Sequence, residues 1–221
     1  DEEIKELGIT RDEAIKLLNE YIKNPNLIKH HLAVEIQMRA LAEYFIEKGS
    51  PTYEGGARGG LGFPTLTKGG AGGGSINPDA WGMAGLLHDM DWEITESDPK
   101  NHSLMTAEIL NKKSVHPAIV EAIRVHNHIH GIEPKTLMEK ALYCAEDLTG
   151  LVVAAALVQP DKKLGSVTVE SVLKKFKDKS FARGVNRDII LKCKDFLGME
   201  LEELISLTIS AMQARAGELG L

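Results

Sequence analysis

The run Trp81-Gly-Met-Ala-Gly-Leu-Leu-His88-Asp89-Met-Asp91 sets adjacent His and Asp side chains at the end of an apolar helical pattern. A carboxylate in an apolar setting needs a partner, and a divalent cation is the strongest one available. Further imidazoles and carboxylates are spread along the chain: His30 and His31 upstream, then His102, His126, His128 and Asp147 downstream. Neutral imidazole nitrogens and ionised carboxylates converging from different helices are the ligands such a cation takes. On one helix His88 and Asp89 point about 100° apart. Both can reach one metal, or Asp89 can bridge two, if the helix ends at the site. The competing reading is a core histidine beside a helix-end aspartate, and the dipeptide alone is common.

The elements that must position these residues read as helices throughout. Thr10-Arg-Asp-Glu13 is a capping box opening a helix with Ile15, Leu18 and Ile22 on one face. A second helix is expected from near Asn26 to about Glu47. Asn77-Pro78 gives an N-cap with proline at the first helical position, and that helix reaches His88-Asp89. Further helices are expected over about 100–111, from His116-Pro117 through His126, and over about 135–158 with Asp147 among apolar neighbours. Shorter ones follow near 168–177, 186–197 and 201–214, with Gly198 as a natural stop. Gly85 would let a neighbouring helix approach closely. No convincing alternating strand is present, so the fold class is all-α.

Length and composition bound the rest. The 221 residues fit one large domain, or a domain with an appendage, and 43% apolar content suffices for a real core. A net charge of −6 argues against nucleic acid or anionic membrane as partner. Cys144 and Cys193 have neither zinc-site nor disulfide-framework spacing and read as free, buried thiols of a cytoplasmic protein. No segment reads as a signal peptide, and no apolar run reaches the roughly 20 residues of a membrane span. The first residue is Asp1 rather than Met, as in a chain trimmed at its start.

Residues 50–75 break the helical pattern, holding ten of the 21 glycines in 26 residues. Such a stretch loses much entropy on ordering and buries little. Its Gly-Gly-Ala-Gly-Gly-Gly-Ser end reads as a man-made flexible linker, which makes Pro51 to about Lys68 an inserted peptide flanked by spacer. A natural mobile loop is the alternative. A phosphate-cradling loop is the weaker reading, because no strand precedes the glycines and no helix follows at once.

The order His … His-Asp … His … His … Asp resembles the HD-domain superfamily of metal-dependent phosphohydrolases, most closely a branch of small bacterial and archaeal HD hydrolases. The matching stretches are Asn26-Leu-Ile-Lys-His30-His31, the His88-Asp89 run, His102-Ser-Leu-Met-Thr-Ala-Glu-Ile-Leu110 and Ala141-Leu-Tyr-Cys-Ala-Glu-Asp147-Leu-Thr-Gly150, continuing into residues 174–187. Only residues 50–75 fall outside; in the family a short polar turn joins the flanking helices there, as joining Gly49 to Ile76 would. The resemblance implies an HD-domain helical bundle over 1–160 with a C-terminal helical extension, 161–221, packed on it. It makes His30, His88, Asp89 and Asp147 ligands of a first metal, leaving Glu146 as the exposed neighbour, and His102 with His126 ligands of a second. His126 is favoured over His128 because it continues the buried Ile119-Ile123 stripe, and His116 and His130 are expected at the surface. His31 stands where the family carries a small or variable residue, touching substrate or merely solvated. The ion could be Mn, Fe, Mg, Ni or Zn.

The resemblance implies hydrolysis of a small phosphorylated metabolite or nucleotide. Metals sharing Asp89 would lower the pKa of a water and neutralise charge building on the phosphoryl oxygens. The leaving oxygen then needs a proton or a cation, for which Asp91, Glu93, Lys29 and His31 are candidates. Lys174, Lys175, Lys177, Lys179, Arg183 and Arg187 form a basic stretch in an acidic chain. It is either a solvated helix face or a place where Lys179, Arg183 or Arg187 binds a substrate phosphate. Two competitors stand beside the hydrolase. A minority of HD proteins use a di-iron pair as oxygenases with the same ligands. A helical scaffold carrying the 51–68 peptide toward a protein partner would need no catalysis. A homodimer is compatible with all three.

Overall fold

The structure, a computed structural model, describes residues 7–49 and 76–221. The 50–75 insertion, with its proposed peptide and spacer, lies outside the described residues. All regular structure within them is helical, so the fold is all-α. No helix among them is long and apolar enough to cross a membrane.

Local sequence sets most helix starts. Helix α1, Arg11–Tyr21, opens on the Thr10 capping box: Glu13 N–H donates to the Thr10 hydroxyl, and Thr10 N–H donates back to the Glu13 carboxylate. Such a cap stabilises a helix by about 1 kcal/mol. Helix α2, Pro25–Lys48, starts at Asn24, whose side chain accepts from Asn26 N–H. Helix α3, Pro78–Leu87, starts at Asn77, which accepts from the N–H groups of Asp79 and Ala80. All its residues from Ala80 to Leu87 are buried, which makes α3 the central rod of the fold. It lies directly against α2: a Cβ on Gly85 would stand 2.7 Å from the Val34 carbonyl oxygen, so only glycine allows the approach.

Four helices complete the frame of the site: α4, Trp92–Thr95, α5, Leu104–Lys112, α6, Pro117–His126, and α7, Leu137–Leu157. The first of these has no counterpart in the sequence reading. Helix α5 begins later than expected, because 3₁₀-type bonds from Asn101 N–H to the Asp98 carbonyl and from His102 N–H to the Pro99 carbonyl occupy the preceding turn. Ser103, buried with φ +69°, then re-aims the chain into the helix.

Helices α8, Val169–Lys177, α9, Arg187–Ile190, α10, Cys193–Leu197, α11, Leu201–Ala214, and α12, Ala216–Leu219, follow. The helix expected over 186–197 is interrupted, since Lys192 N–H bonds three residues back to Ile189 and tightens the turn. Gly198 ends α10 at φ +66°, as its position foretold. Helix α11 packs on α2, α7 and α8, and its Leu204, Ile205 and Met212 share one apolar core with Val34, Leu86 and Leu148. Cys144 and Cys193 are free and buried.

Candidate metal centre

Five elements meet at one point. His30 comes from the second turn of α2, and His88 caps the C-terminus of α3. Asp89 follows in the turn, His102 precedes α5, and His126 is the last residue of α6. Glu146 and Asp147 lie midway along α7.

The orientation of each ring is set by its Nδ1. His88 Nδ1 donates to the Gly85 carbonyl at 2.7 Å, and His126 Nδ1 to the Ile123 carbonyl at 2.6 Å. His102 Nδ1 donates to Asp91 Oδ1 at 2.7 Å. His30 Nδ1 faces the Thr149 hydroxyl at 3.5 Å, and that hydroxyl donates to the Glu146 carbonyl. A carbonyl only accepts, so the ring proton belongs on Nδ1 and the lone pair on Nε2. The Nε2 atoms converge on Asp89. Its Oδ1 lies 3.0 Å from His102 Nε2 and 3.1 Å from His126 Nε2. Its Oδ2 lies 3.4 Å from His88 Nε2 and 3.9 Å from His30 Nε2.

Two donor groups result, His30-His88-Asp89 and Asp89-His102-His126, each with its ligand atoms within 4.8 Å of one another. The fit to a divalent ion can be judged on His88 alone. Its side chain is fully buried, and its Nε2 has no hydrogen-bond partner among the described residues. A buried lone pair aimed at a carboxylate oxygen is costly unless a cation stands between them. Mixed imidazole and carboxylate donors suit Zn, Fe, Mn or Ni. The centre could therefore hold a divalent metal.

Electrostatics agree. Burial alone would raise Asp89, but the imidazoles facing its oxygens, His88 first and then His102 and His126, outweigh burial and hold the carboxyl well below its ordinary range. Burial lowers His30 to about 4, with the charge of His88 adding to the effect. Burial also lowers His126. His102 moves the other way: burial opposes its charging, yet bonds to Asp89 and Asp91 raise it to about 9. In metal-free protein His102 thus supplies the positive charge that Asp89 requires.

The sequence-derived candidates distribute unevenly over this geometry. His30, His88, Asp89, His102 and His126 come together. Asp147 lines the same cleft, but its Oδ2 accepts from Asn186 N–H at 3.1 Å. Its neighbour Glu146, expected to be exposed, instead turns inward with Oε2 3.7 Å from His30 Nε2 and 4.0 Å from His88 Nε2. Burial, then the charges of Asp147 and Asp89, push the Glu146 carboxyl well above its ordinary value, a state that a cation would reverse. His128 is exposed on the cleft, and His130 is turned inward, its Nε2 2.7 Å from the His102 carbonyl. His116 caps α6 by accepting from Ala118 N–H.

Other candidates are corrected. His31 is neither solvated nor on the cleft: its Nδ1 donates to the Leu86 carbonyl at 2.8 Å behind His88, and burial lowers its pKa to about 3. Asp91 is fully buried, one oxygen on His102 Nδ1 and the other on Thr106 N–H, so it orients a ring and meets no substrate. Glu93 accepts from the N–H groups of Lys23 and Asn24 ahead of α2. Lys29 is exposed with its Nζ near Gly220, away from the cleft. Lys179 and Arg183 are exposed and off the cleft lining. Arg187 turns inward and donates to six backbone carbonyls, those of Lys175, Phe176, Asp178, Phe181, Ala182 and Val185, so none of its fork is left for phosphate.

The cleft over the centre has a volume of about 540 Å³. Leu27, Trp92 and Ile129 contribute its apolar wall, and Asn127, Gly184 and Asn186 part of its polar wall. Sequence reading took Glu146 for an exposed neighbour of Asp147 and singled out neither Trp92 nor Ile129. The only available signal for Glu146 was its place beside Asp147 in an apolar helix.

Comparison with known proteins agrees in part. Over 64 residues the chain is 38% identical to a Ribonuclease Y of Campylobacter jejuni subsp. doylei and 39% identical to one of Campylobacter curvus. A Ribonuclease Y of a Sulfurovum species is 36% identical over the same length. Each match covers 29% of this chain and only 12% of the relative. No family model and no solved structure matches. The partial likeness and the His/Asp cluster together fit a metal-binding HD-like domain.

Proposed function

We propose that this chain is a metal-dependent phosphohydrolase of HD type, acting on a small phosphorylated metabolite or nucleotide with water as the nucleophile. One observation carries the reading: each oxygen of Asp89 faces a pair of imidazole Nε2 atoms whose Nδ1 positions are already committed elsewhere. Bound divalent ions would make a water acidic enough to attack at neutral pH and would offset charge gathering on the phosphoryl oxygens.

The side chains have separable duties. His30, His88 and Glu146 hold one side of Asp89; His102 and His126 hold the other. Asp91 fixes the His102 ring, and the Gly85 and Ile123 carbonyls fix His88 and His126. Asp147 supplies the leaving oxygen with its proton: it lines the cleft, and burial raises its pKa although Asn186 N–H opposes this. His128, also on the cleft, is the second group placed to do so. The relatives are named for cleaving RNA, which supports an ester of phosphate as the bond broken.

The test is metal analysis of purified protein followed by a phosphate-release screen over nucleotides and sugar phosphates with Mn²⁺, Fe²⁺, Mg²⁺ and Ni²⁺. Bound metal with turnover supports the reading. Protein that takes up no metal and releases no phosphate overturns it. Tightly bound iron with O₂ uptake and no phosphate release would transfer the centre to oxygenase chemistry.

A further inference from the structure

The cleft wall lacks what a highly charged substrate requires. Asp89, Glu146 and Asp147 all face it, and no Lys or Arg lines it among the described residues. Arg187, the guanidinium of the 174–187 stretch that turns inward, is fully committed to backbone carbonyls. A phosphomonoester carries close to two negative charges at neutral pH, and each further phosphate of a polyphosphate adds more. Such charge would have to sit against carboxylates with no cation beyond the centre itself, and like-charge juxtaposition is strongly disfavoured. A phosphodiester carries a single charge.

Another part of the lining is apolar and open. Trp92 is 45% exposed and Ile129 58% exposed, yet both line the cleft. The Trp92 ring stands edge to face on His102 with centroids 4.9 Å apart, which fixes it one ring away from Asp89. Ile129 sits in the 3₁₀ turn His128–His130, directly after the helix that ends in His126. Large apolar side chains held at the mouth of a polar cleft are what a flat, uncharged group packs against.

We infer that this cleft selects a singly charged phosphodiester bearing a flat apolar ring, with Trp92 and Ile129 holding the ring. The inference rests on the hydrolase reading. In the reaction the oxygen of water bonds to phosphorus as the phosphorus–oxygen bond to the leaving group breaks. Asp147 gives its proton to the leaving oxygen and takes one from the water, and the water's other proton passes to solvent as the product ionises, giving an alcohol and a phosphomonoester. That product gains charge, which the carboxylate wall helps to expel.

Three substrates sharing one leaving group separate these elements: p-nitrophenyl phenyl phosphate, methyl p-nitrophenyl phosphate and p-nitrophenyl phosphate, each given to the metal-loaded full chain. The phenyl diester is expected to show the highest kcat/KM, the methyl diester about tenfold less, and the monoester least. Trp92→Ala should raise KM for the phenyl diester about tenfold with a much smaller change in kcat. Trp92→Phe should restore most of the loss, and the rise for the methyl diester should be small. Because Trp92 touches His102, metal content is measured for each variant. Ile129→Ser, which lies outside both donor groups, should raise KM in the same direction and keeps the test open if Trp92→Ala sheds metal. A preference for the monoester, or equal turnover of the two diesters, overturns the inference and leaves the hydrolase reading standing. Turnover of none of the three, nor of any phosphate ester in the wider screen, overturns both.

Discussion

Arg187 and His88 are both polar side chains folded inward, and their hydrogen bonds end differently. The Arg187 guanidinium donates to six backbone carbonyls and has nothing left to offer. His88 uses Nδ1 on the Gly85 carbonyl and keeps a buried Nε2 with no partner among the described residues. The first pattern closes a loop upon itself, with Ala182 held at φ +47° inside it. The second leaves bonding capacity unspent at a place where leaving it unspent is unfavourable. The lesson is that charge does not separate architecture from chemistry in this chain; an unpartnered buried nitrogen does so only where it also faces a carboxylate, since, among the described residues, His31 Nε2 is equally unpartnered behind the site.

That contrast can be broken most severely at Asp89. Asp89→Ala should abolish binding at both donor groups and cut activity by more than the roughly 100-fold typical of losing an outer-shell partner. Elemental analysis of the purified variant checks this; full metal occupancy would show that the convergence of rings has another purpose. The next largest effect is expected at Asp91. Asp91→Asn should cost about 10- to 100-fold in metal affinity or activity, with the loss confined to the His102 side. Titration of metal-free protein should then show one weakened and one intact step.

Arg187→Ala sharpens the other half of the comparison. It should destabilise the fold by about 1–3 kcal/mol, since carbonyls from the last turn of α8 and the segment after it lose their donor. Metal affinity should be unchanged. Denaturant unfolding and metal titration on the same variant report the two quantities, and lost metal with preserved stability would reverse the roles assigned to the two regions.

The smallest effect is one of pH. In metal-free protein His102 titrates at about 9, above its ordinary value near 6.5, because Asp89 and Asp91 hold its proton. A raised histidine contributes stability that is complete below its unfolded pKa and disappears as pH rises through the folded one. The melting temperature of metal-free protein should therefore fall between pH 6.5 and 9, and His102→Gln should flatten that slope. Metal uptake near neutrality should release this proton, so affinity should climb over the same interval, measurable by titration in buffers of different ionisation enthalpy.

Much of this was legible before any coordinates. Capping boxes and Asn-Pro starts announced α1, α2 and α3 because a cap is a local device, complete within four residues. His88-Asp89 stood out because its flanks are apolar. The choice between Glu146 and Asp147 was not legible: adjacent residues on a helix point about 100° apart, and only the rotation of α7 against α2 and α3 decides which faces His30. The same rotation buries His31 and presents His30. Arg187 looked like a phosphate ligand because a sequence displays charges and conceals carbonyl oxygens. Trp92 and Ile129 passed as ordinary apolar residues, since their exposure depends on where α4 and the His128–His130 turn come to rest.

Gly85 supplies no ligand atom, yet beyond accepting from His88 Nδ1 it sets a dimension of the centre. At that crossing backbone lies against backbone, which brings α2 and α3 close beside His30 and His88. Main chain yields far less than a leucine that can change rotamer. The spacing of the first donor group is thus held by main chain, and an entering ion would meet a span that side-chain repacking alone does not widen.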